Sequence, residues 1–154
     1  MGEIVKLLPK VGLGVMILNG ENQLLLGLRN SNKEKADSEL NGEGTWTMPG
    51  GKLDFGETPF QGAVREMKEE TNLNLKNAEI ISVTSDKGET SHFVTIGFLA
   101  NDFDGEVKTM EPEEIVEWKW FDLDKLPANL FFPSKKLLMN YFEFIKSNKT
   151  IFEK

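Results

Sequence analysis

The sequence predicts an α/β protein, an α/β/α sandwich in which a mixed central sheet lies between flanking helices. Apolar, strand-like runs occur both before and after a strongly capped helix at residues 59–71, and a second helical pattern follows at residues 134–146. With 154 residues, the chain is long enough to bury a core, and we expect a single domain over residues 1–154.

Several segments have the pattern of β-strands. Residues 11–18 form an apolar run, and residues 23–29 follow the tight-turn signal Asn19-Gly20, so we expect these two strands to pair as a hairpin. Further strands are predicted at residues 45–48, 80–84, 92–99 and 115–121, with a turn at 102–105. The polar segment 30–44 is expected to be a mobile loop that acts as a lid over a site.

Composition excludes several classes of protein. The formal net charge of −7 argues against a nucleic-acid partner, because binding to a phosphate backbone relies on basic residues. The absence of cysteine excludes disulfides and thiolate catalysis, and a single histidine cannot form a multi-histidine metal site. No segment approaches the roughly 18 apolar residues of a membrane span. Residues 1–10 lack an apolar signal region, and Lys6 stands where a myristoylation signal has Ser or Thr, so we expect a cytoplasmic protein without a membrane partner.

The helix at residues 59–71 has clear signals at both ends. Thr58 is suited to the N-cap, Pro59 to the first helical position, and Gln61 completes a capping box with Thr58. Asn72 lies just past the helix, where the left-handed conformation is common and asparagine tolerates it well.

This helix carries three carboxylates, Glu66, Glu69 and Glu70, whose i+3 and i+4 spacing places them on one face. They repel one another unless a cation lies between them, and Arg65, through contacts to Glu57 or Glu69, neutralises only part of the charge. Clustered carboxylate oxygens suit a hard divalent ion such as Mg²⁺ or Mn²⁺. For the helix considered alone, a solvated acidic face is the alternative.

The spacing of these residues resembles the Nudix box, G-x5-E-x7-R-E-U-x-E-E-x-G-U, where U is a bulky aliphatic residue. The chain departs from this pattern at Asn72, where the box has glycine, and no catalytic role depends on that position. The other defined positions are filled by Gly51, Glu57, Arg65, Glu66, Met67, Glu69, Glu70 and Leu73. The segments HFVTI and WKWFDLDKLP also look like those of MutT-type members of this family, although these flanking motifs are less specific.

The resemblance implies the Nudix fold, itself an α/β/α sandwich, and a divalent metal site. It implies that Glu66, Glu69 and Glu70 are metal ligands together with the backbone carbonyl of Gly50. Arg65 and Glu57 are expected to orient these ligands. The general base of the family is either a glutamate of the box or one on a later loop, for which the candidates are Glu111, Glu113 and Glu114; a solvated acidic turn is the alternative for those three.

Five further residues are candidates for substrate binding. Arg29 and Lys52 are placed to meet phosphates, although both are also ordinary surface residues. Thr95 is a candidate for a hydrogen bond to a base edge, or alternatively a residue packed in the sheet. Phe131 and Phe132 form an apolar pair that suits a pocket wall or the entry to the last helix.

The resemblance implies a MutT-type hydrolase that cleaves a nucleoside triphosphate to the monophosphate and pyrophosphate with Mg²⁺ or Mn²⁺. A nucleotide sugar and a dinucleoside polyphosphate are alternative substrates. A non-catalytic Nudix-like module that senses nucleotides is an alternative of a different class. The expected partner is a small nucleotide, and a homodimer is a further expectation, since dimers are common in the family.

Overall fold

The protein is described by a computed structural model over residues 7–154. The elements in this range are β1 (Lys10–Ile17), β2 (Gln23–Arg29), α1 (Lys33–Ala36), β3 (Trp46–Thr47), β4 (Gly50–Lys52), α2 (Pro59–Thr71), β5 (Asn74–Lys87), β6 (His92–Asp104), β7 (Ile115–Asp122), α3 (Phe132–Ser147) and β8 (Ile151–Phe152). Residues 1–6, for which no targeting signal is expected, lie outside it. Among the described helices, none has the length and apolar character needed to cross a membrane.

The strands form two sheets. The larger has the order β4-β1-β6-β5-β8 and is mixed, because β1 pairs antiparallel with β4 but parallel with β6, and β5 pairs antiparallel with β6 but parallel with β8. The smaller is antiparallel, with the order β3-β2-β7. The α/β class with a mixed sheet and flanking helices is confirmed, and the predicted central sheet is divided into two.

Two hydrophobic cores lie on opposite sides of β1. Leu13, Val15 and Ile17 belong to the core that includes Ala63 and Met67 of α2. Met16 and Leu18 belong to the other core, which contains α3 residues Leu137, Leu138 and Phe144. Since side chains alternate along a strand, a continuous apolar run such as β1 supplies both cores at once. The result is a layered arrangement with α2 and α3 on either side.

The predicted hairpin of residues 11–18 and 23–29 is wrong. The turn itself forms, since Asn19 Oδ1 accepts hydrogen bonds from the backbone N–H groups of Glu21 (3.0 Å) and Gln23 (2.9 Å). Only a single bridge, Leu18 to Leu24, joins the segments beyond the turn. Both edges of β1 are already paired with β4 and β6, so β2 pairs instead with β3 and β7 in the second sheet.

Other boundaries also differ from prediction. The segment at residues 80–84 is part of the 14-residue strand β5, which starts soon after α2. The turn predicted at 102–105 begins later, because β6 continues to Asp104 and Gly105 takes the positive φ of 97°. The loop at residues 30–44 contains the short helix α1, capped by the side chain of Asn32. Helix α3 starts two residues before the predicted position.

Candidate active site

Helix α2 holds the acidic residues, and its ends form as predicted. The Thr58 hydroxyl accepts from the backbone N–H of Gln61 at 3.1 Å, and the Gln61 side chain accepts from the backbone N–H of Thr58 at 2.9 Å. At the other end, Asn72 is left-handed with φ of 68°, and its N–H donates to the carbonyl of Lys68. Both ends are therefore fixed by local contacts, which sets the direction of each glutamate on the helix.

The glycine pair lets β4 pass tightly between β1 and α2. A Cβ added at Gly51 would lie 2.5 Å from the carboxyl carbon of Glu66, so the carboxylate occupies the space of a side chain. A Cβ at Gly50 would collide with the carbonyl oxygen of Leu13 on β1. Neither position accepts a larger residue without movement, and this close approach brings the Gly50 backbone beside the α2 carboxylates.

Arg65 is the centre of an ion-pair network on α2. Its guanidinium donates to both carboxylate oxygens of Glu57 (2.7 and 3.1 Å), to Glu66 at 2.8 Å and to Glu69 at 3.2 Å. It also donates to the backbone carbonyl of Lys52 at 2.9 Å. Hydrogen bonds to Glu57, together with the Glu66 carboxylate, raise the pKa of Arg65 despite partial burial. Arg65 is thus a fixed cation that clamps the loop before α2 to the acidic face.

Glu66 and Glu70 are two carboxylates held in a poorly solvated place. Burial raises the pKa of Glu66, although Arg65 opposes this effect. Burial, followed by the charge of Glu66, raises the pKa of Glu70 well above its usual range, against the opposing effects of Arg29 and the Gly50 N–H. Glu70 is surrounded by protein atoms, yet part of its side chain still faces a cavity. Such a pair is stabilised by a proton or by a cation shared between the oxygens.

A cavity of about 180 Å³ opens beside Glu70. This is much more than the roughly 10–15 Å³ needed for one water molecule, so the cavity has room for a larger group. On its wall, the Arg29 guanidinium lies over the ring of Phe131, 5.0 Å from its centre. Arg29 Nη1 donates to the carbonyl of Ala36 at 3.3 Å, whereas its buried Nε finds no hydrogen-bond partner within residues 7–154. The cavity wall close to the carboxylates therefore includes an aromatic ring covered by a guanidinium, one N–H of which has no partner within residues 7–154.

A family model of the NUDIX domain matches residues 8–141. The chain belongs to the Nudix family. The RNA pyrophosphohydrolase of Erythrobacter litoralis is 30% identical over 142 residues, which cover 80% of this chain and 81% of that relative; proteins of the same name from other bacteria also match. The ADP-ribose pyrophosphatase of Methanocaldococcus jannaschii is 33% identical over 127 residues, with 81% and 69% covered. A crystal structure of a MutT NUDIX hydrolase from Burkholderia pseudomallei aligns with a TM-score of 0.76 at 30% identity, covering 86% of this chain and 98% of that one.

The protein is thus a Nudix hydrolase, a pyrophosphohydrolase of phosphoric anhydrides. Four of the five predicted substrate-binding residues of this Nudix protein line the cavity beside Glu70; they are Arg29, Lys52, Thr95 and Phe131. Phe132 is not among the described residues that line it. Its ring contacts the Phe131 ring at a tilted angle, and it borders a separate depression lined by residues of α3 and by Thr84 of β5. The two phenylalanines differ because Phe131 precedes α3 and Phe132 is its first residue.

The acidic face of α2 has oxygen ligands suited to a divalent metal ion, but its side chains are not grouped around a common centre. In the part of the chain that the structure describes, no three His, Asp or Glu side chains are grouped to hold an ion. Glu69 is turned toward Arg65 and its side chain is 53% exposed. Glu66 and Glu70 nevertheless supply clustered carboxylate oxygens whose negative charges repel one another. Hard cations such as Mg²⁺ prefer oxygen ligands of this kind.

The three later glutamates are not equivalent. Burial and the charges of Glu66 and Glu69 raise the pKa of Glu111, so this residue lies within electrostatic reach of the Nudix helix. Glu114 lines the cavity, and burial, followed by the charge of Glu111, raises its pKa. All three glutamates border a separate acidic depression at the surface, but for Glu113 the described residues show no further link to the carboxylates of the helix. The structure thus brings two of the three candidates close to the site.

The loop at residues 30–44, predicted to lie over a site, contributes residues 37–40 to the cavity wall. Two features near the site were not predicted from the sequence. Glu39 fixes this loop by ion pairs with Lys10 (2.6 Å) and Lys52 (2.5 Å). Asp86, in the polar stretch TSDKG, is fully buried and accepts a hydrogen bond from Thr95. Its alternation with Thr84 along β5 was the available signal, because period-2 spacing places both on one face.

Proposed function

We propose that this Nudix hydrolase cleaves a nucleoside triphosphate to the nucleoside monophosphate and pyrophosphate. The observation that carries the proposal is the position of the cavity. The Phe131 ring and the Arg29 guanidinium that lies over it are planar groups in the cavity wall and suit contact with a base. The wall continues to Glu70 and to the glycine pair Gly50 and Gly51. A nucleotide with its base in the cavity therefore has its phosphates beside the acidic face of α2.

We propose that Glu66, Glu70 and the Gly50 carbonyl hold Mg²⁺ or Mn²⁺, with Glu69 as a further ligand. The bound ion would neutralise charge on the phosphate oxygens and lower the pKa of a bound water. Arg65 maintains the direction of Glu66 through its 2.8 Å hydrogen bond, and Glu57 holds Arg65 in turn.

The remaining polar residues of the cavity have proposed roles in binding and proton transfer. Arg29, with an unpaired buried Nε, and Lys52 are expected to contact phosphate oxygens. Among the loop glutamates, we propose Glu111 as the general base, because its charge acts on Glu70 as well as on Glu66. A glutamate of the box is the alternative. The pH profile of kcat should lose its acid limb in Glu111→Gln and keep it in Glu113→Gln. An acid limb that persists in both variants would return the role of general base to a glutamate of the helix.

A 5′-triphosphorylated RNA is the second candidate substrate. Several relatives carry the name RNA pyrophosphohydrolase, and the RNA end contains the same anhydride as a free triphosphate. A nucleotide sugar, a dinucleoside polyphosphate and ADP-ribose, named for the relative from Methanocaldococcus jannaschii, share the diphosphate link. The single domain, the cytoplasmic location and the homodimer stay predictions.

A substrate panel with Mg²⁺ tests the proposal. It contains the four ribonucleoside triphosphates, a 5′-triphosphorylated RNA oligonucleotide, ADP-ribose, a nucleotide sugar and a dinucleoside polyphosphate. We expect kcat/KM for at least one free triphosphate to exceed that of every other class by about tenfold or more. A higher value for the RNA would transfer the proposal to RNA ends, and binding without turnover of any compound would favour the nucleotide-sensing module.

A further inference from the structure

Asp86 is a buried carboxylate that the proposed hydrolysis does not use. It is 0% exposed and lies on β5, next to β6. Its Oδ2 accepts hydrogen bonds from the hydroxyls of Thr84 at 3.0 Å and Thr95 at 2.6 Å. The nearest cation is Lys136 on α3, whose Nζ lies 3.0 Å from Oδ1, close enough for an ion pair although not aligned for a hydrogen bond.

Lys136 is itself held in place by two other acceptors. Its ammonium group donates to Glu153 at 2.8 Å and to the backbone carbonyl of Ser85 at 3.0 Å. Burial opposes the charged form, but Glu153 and Asp86 outweigh it and raise the pKa of Lys136. The Asp86 carboxylate forms an ion pair with this ammonium group, and a carboxylate can only accept hydrogen bonds.

This network fixes the orientation of the Thr95 hydroxyl. A hydroxyl has one hydrogen to donate and two lone pairs that accept. The short 2.6 Å hydrogen bond to the Asp86 carboxylate commits the hydrogen of Thr95 to Asp86. No other group in residues 7–154 hydrogen-bonds the Thr95 oxygen, and Thr95 lines the cavity. The oxygen is therefore an acceptor with free lone pairs at the cavity surface.

The neighbouring strand keeps this oxygen open. Gly12 of β1 lies directly opposite Thr95 in the parallel ladder, and a Cβ at Gly12 would sit 3.4 Å from Thr95 Oγ1. On its other side, Gly12 pairs with Lys52 of β4. The row Lys52–Gly12–Thr95 spans two strand spacings, roughly 9–10 Å. If Lys52 contacts the phosphates, Thr95 lies at the distance of the base.

We propose that Thr95 selects the nucleobase by accepting a hydrogen bond from an exocyclic amino group, and that Asp86 is the positioning residue that keeps the Thr95 hydroxyl in this orientation. The inference rests on the proposed nucleotide function. It implies a preference for bases with an amino group over analogues in which hydrogen replaces it. Such an analogue leaves the oxygen of Thr95 without a hydrogen-bond donor in the complex. A buried polar group left unpaired weakens binding of the analogue strongly.

The test uses three matched nucleotide pairs that differ in one amino group: ATP and purine riboside triphosphate, GTP and ITP, CTP and zebularine triphosphate. The wild-type protein should favour the amino member of at least one pair by about tenfold or more, mainly through KM. Thr95→Val should reduce that ratio to near one, and Thr95→Ser, which keeps the hydroxyl, should retain most of it. Asp86→Asn should also reduce the ratio, because an amide no longer commits the Thr95 hydrogen.

Thr84→Val is the matched control. It removes a hydrogen bond to the same Asp86 oxygen, but Thr84 is not among the described residues that line this cavity, so the ratio should stay at the wild-type value. A loss of discrimination in Thr84→Val equal to that in Thr95→Val would reduce the network to a structural role. Equal kinetics for all three pairs in the wild-type protein would overturn the inference even if no variant folds.

Binding of the corresponding monophosphates, measured by calorimetry, separates this inference from the proposed function. The ratio of dissociation constants within each pair should follow the same order as the kinetics. If the wild-type protein hydrolyses none of the triphosphates, the proposed function fails, whereas a preference for the amino monophosphate that Thr95→Val removes still supports the role of Thr95. Equal or undetectable binding of all six monophosphates would overturn it.

Discussion

Replacing Glu70 by glutamine removes a charge that the folded protein holds at a cost. Burial, followed by the charge of Glu66, raises the pKa of Glu70 well above its usual range. The folded state then binds a proton at Glu70 more tightly than the unfolded state does, so ionisation of Glu70 destabilises the fold as pH rises above the usual carboxyl pKa of about 4.3. In metal-free buffer at pH 8, we expect Glu70→Gln to melt at a higher temperature than the wild-type protein. The difference should disappear below about pH 4.

With saturating Mg²⁺, the wild-type protein should melt at a higher temperature than Glu70→Gln. A ligand at 100 times its dissociation constant stabilises the folded state by about 2.7 kcal/mol. For a domain of this size, each kcal/mol raises Tm by roughly 2–4 °C, so saturating Mg²⁺ should raise the wild-type Tm by roughly 5–10 °C. Glu70→Gln should lose most of this shift, and its turnover should fall by about a hundredfold to a thousandfold, because several kcal/mol of charge stabilisation in the transition state depend on the ion.

The assay is thermal melting with EDTA and with a series of Mg²⁺ concentrations, followed by turnover under the same conditions. Glu143→Gln, which makes the same charge change at an exposed position of α3, is the control and should show the wild-type Mg²⁺ shift. An Mg²⁺ shift in Glu70→Gln equal to that of the wild-type protein would refute the reasoning. If Glu70→Gln melts at a lower temperature than the wild-type protein in EDTA at pH 8, the ionised Glu70 does not destabilise the fold and this part of the reasoning is wrong.

Further substitutions at Gly51, Asn72, Phe131 and Phe132 test single contacts. Gly51→Ala places a methyl group 2.5 Å from the Glu66 carboxyl carbon, so we expect a large loss of turnover. Circular dichroism should show that the variant is still folded. Asn72→Val should lower the free energy of unfolding by about 1–2 kcal/mol, because a β-branched residue tolerates positive φ poorly, whereas Asn72→Gly should be close to neutral. Equal stability of the wild-type protein and both variants in thermal melts would contradict the left-handed geometry. Phe131→Ala should raise KM by about an order of magnitude, since base–aromatic stacking contributes roughly 1–3 kcal/mol, and Phe132→Ala should not. Equal effects of the two phenylalanine variants would contradict the position of the base.

The features that sequence predicted well depend on contacts within a few residues. The N-cap at Thr58, the capping box with Gln61 and the left-handed Asn72 are interactions of neighbouring residues, and each was recognised from its residue type and spacing. The contact from Arg65 to Glu69 was also predicted, because the helical period brings these two side chains together. The contact to Glu57, in the loop before the helix, was predicted from the need to balance the acidic charge.

The features that sequence did not predict depend on distant pairing. The turn at Asn19 forms, but whether β1 and β2 pair depends on which strands occupy the edges of β1, and β4 and β6 come later in the chain. The same holds for the separation of Phe131 from Phe132, because the direction of each ring is set by how α3 packs on the sheets. Asp86 lies beyond the strand predicted at residues 80–84, and its partners, Thr95 and Lys136, are distant in sequence.

The central claim, that the carboxylate face of α2 supports metal-dependent cleavage of a nucleoside triphosphate, is tested most directly by ³¹P NMR of the reaction products. The wild-type protein is incubated with nucleoside triphosphates in the presence of Mg²⁺ and, in parallel, after chelation of the metal. We predict resonances of nucleoside monophosphate and pyrophosphate that grow only with Mg²⁺. Formation of nucleoside diphosphate and phosphate, or the same rate of hydrolysis in the chelated sample, would contradict the claim.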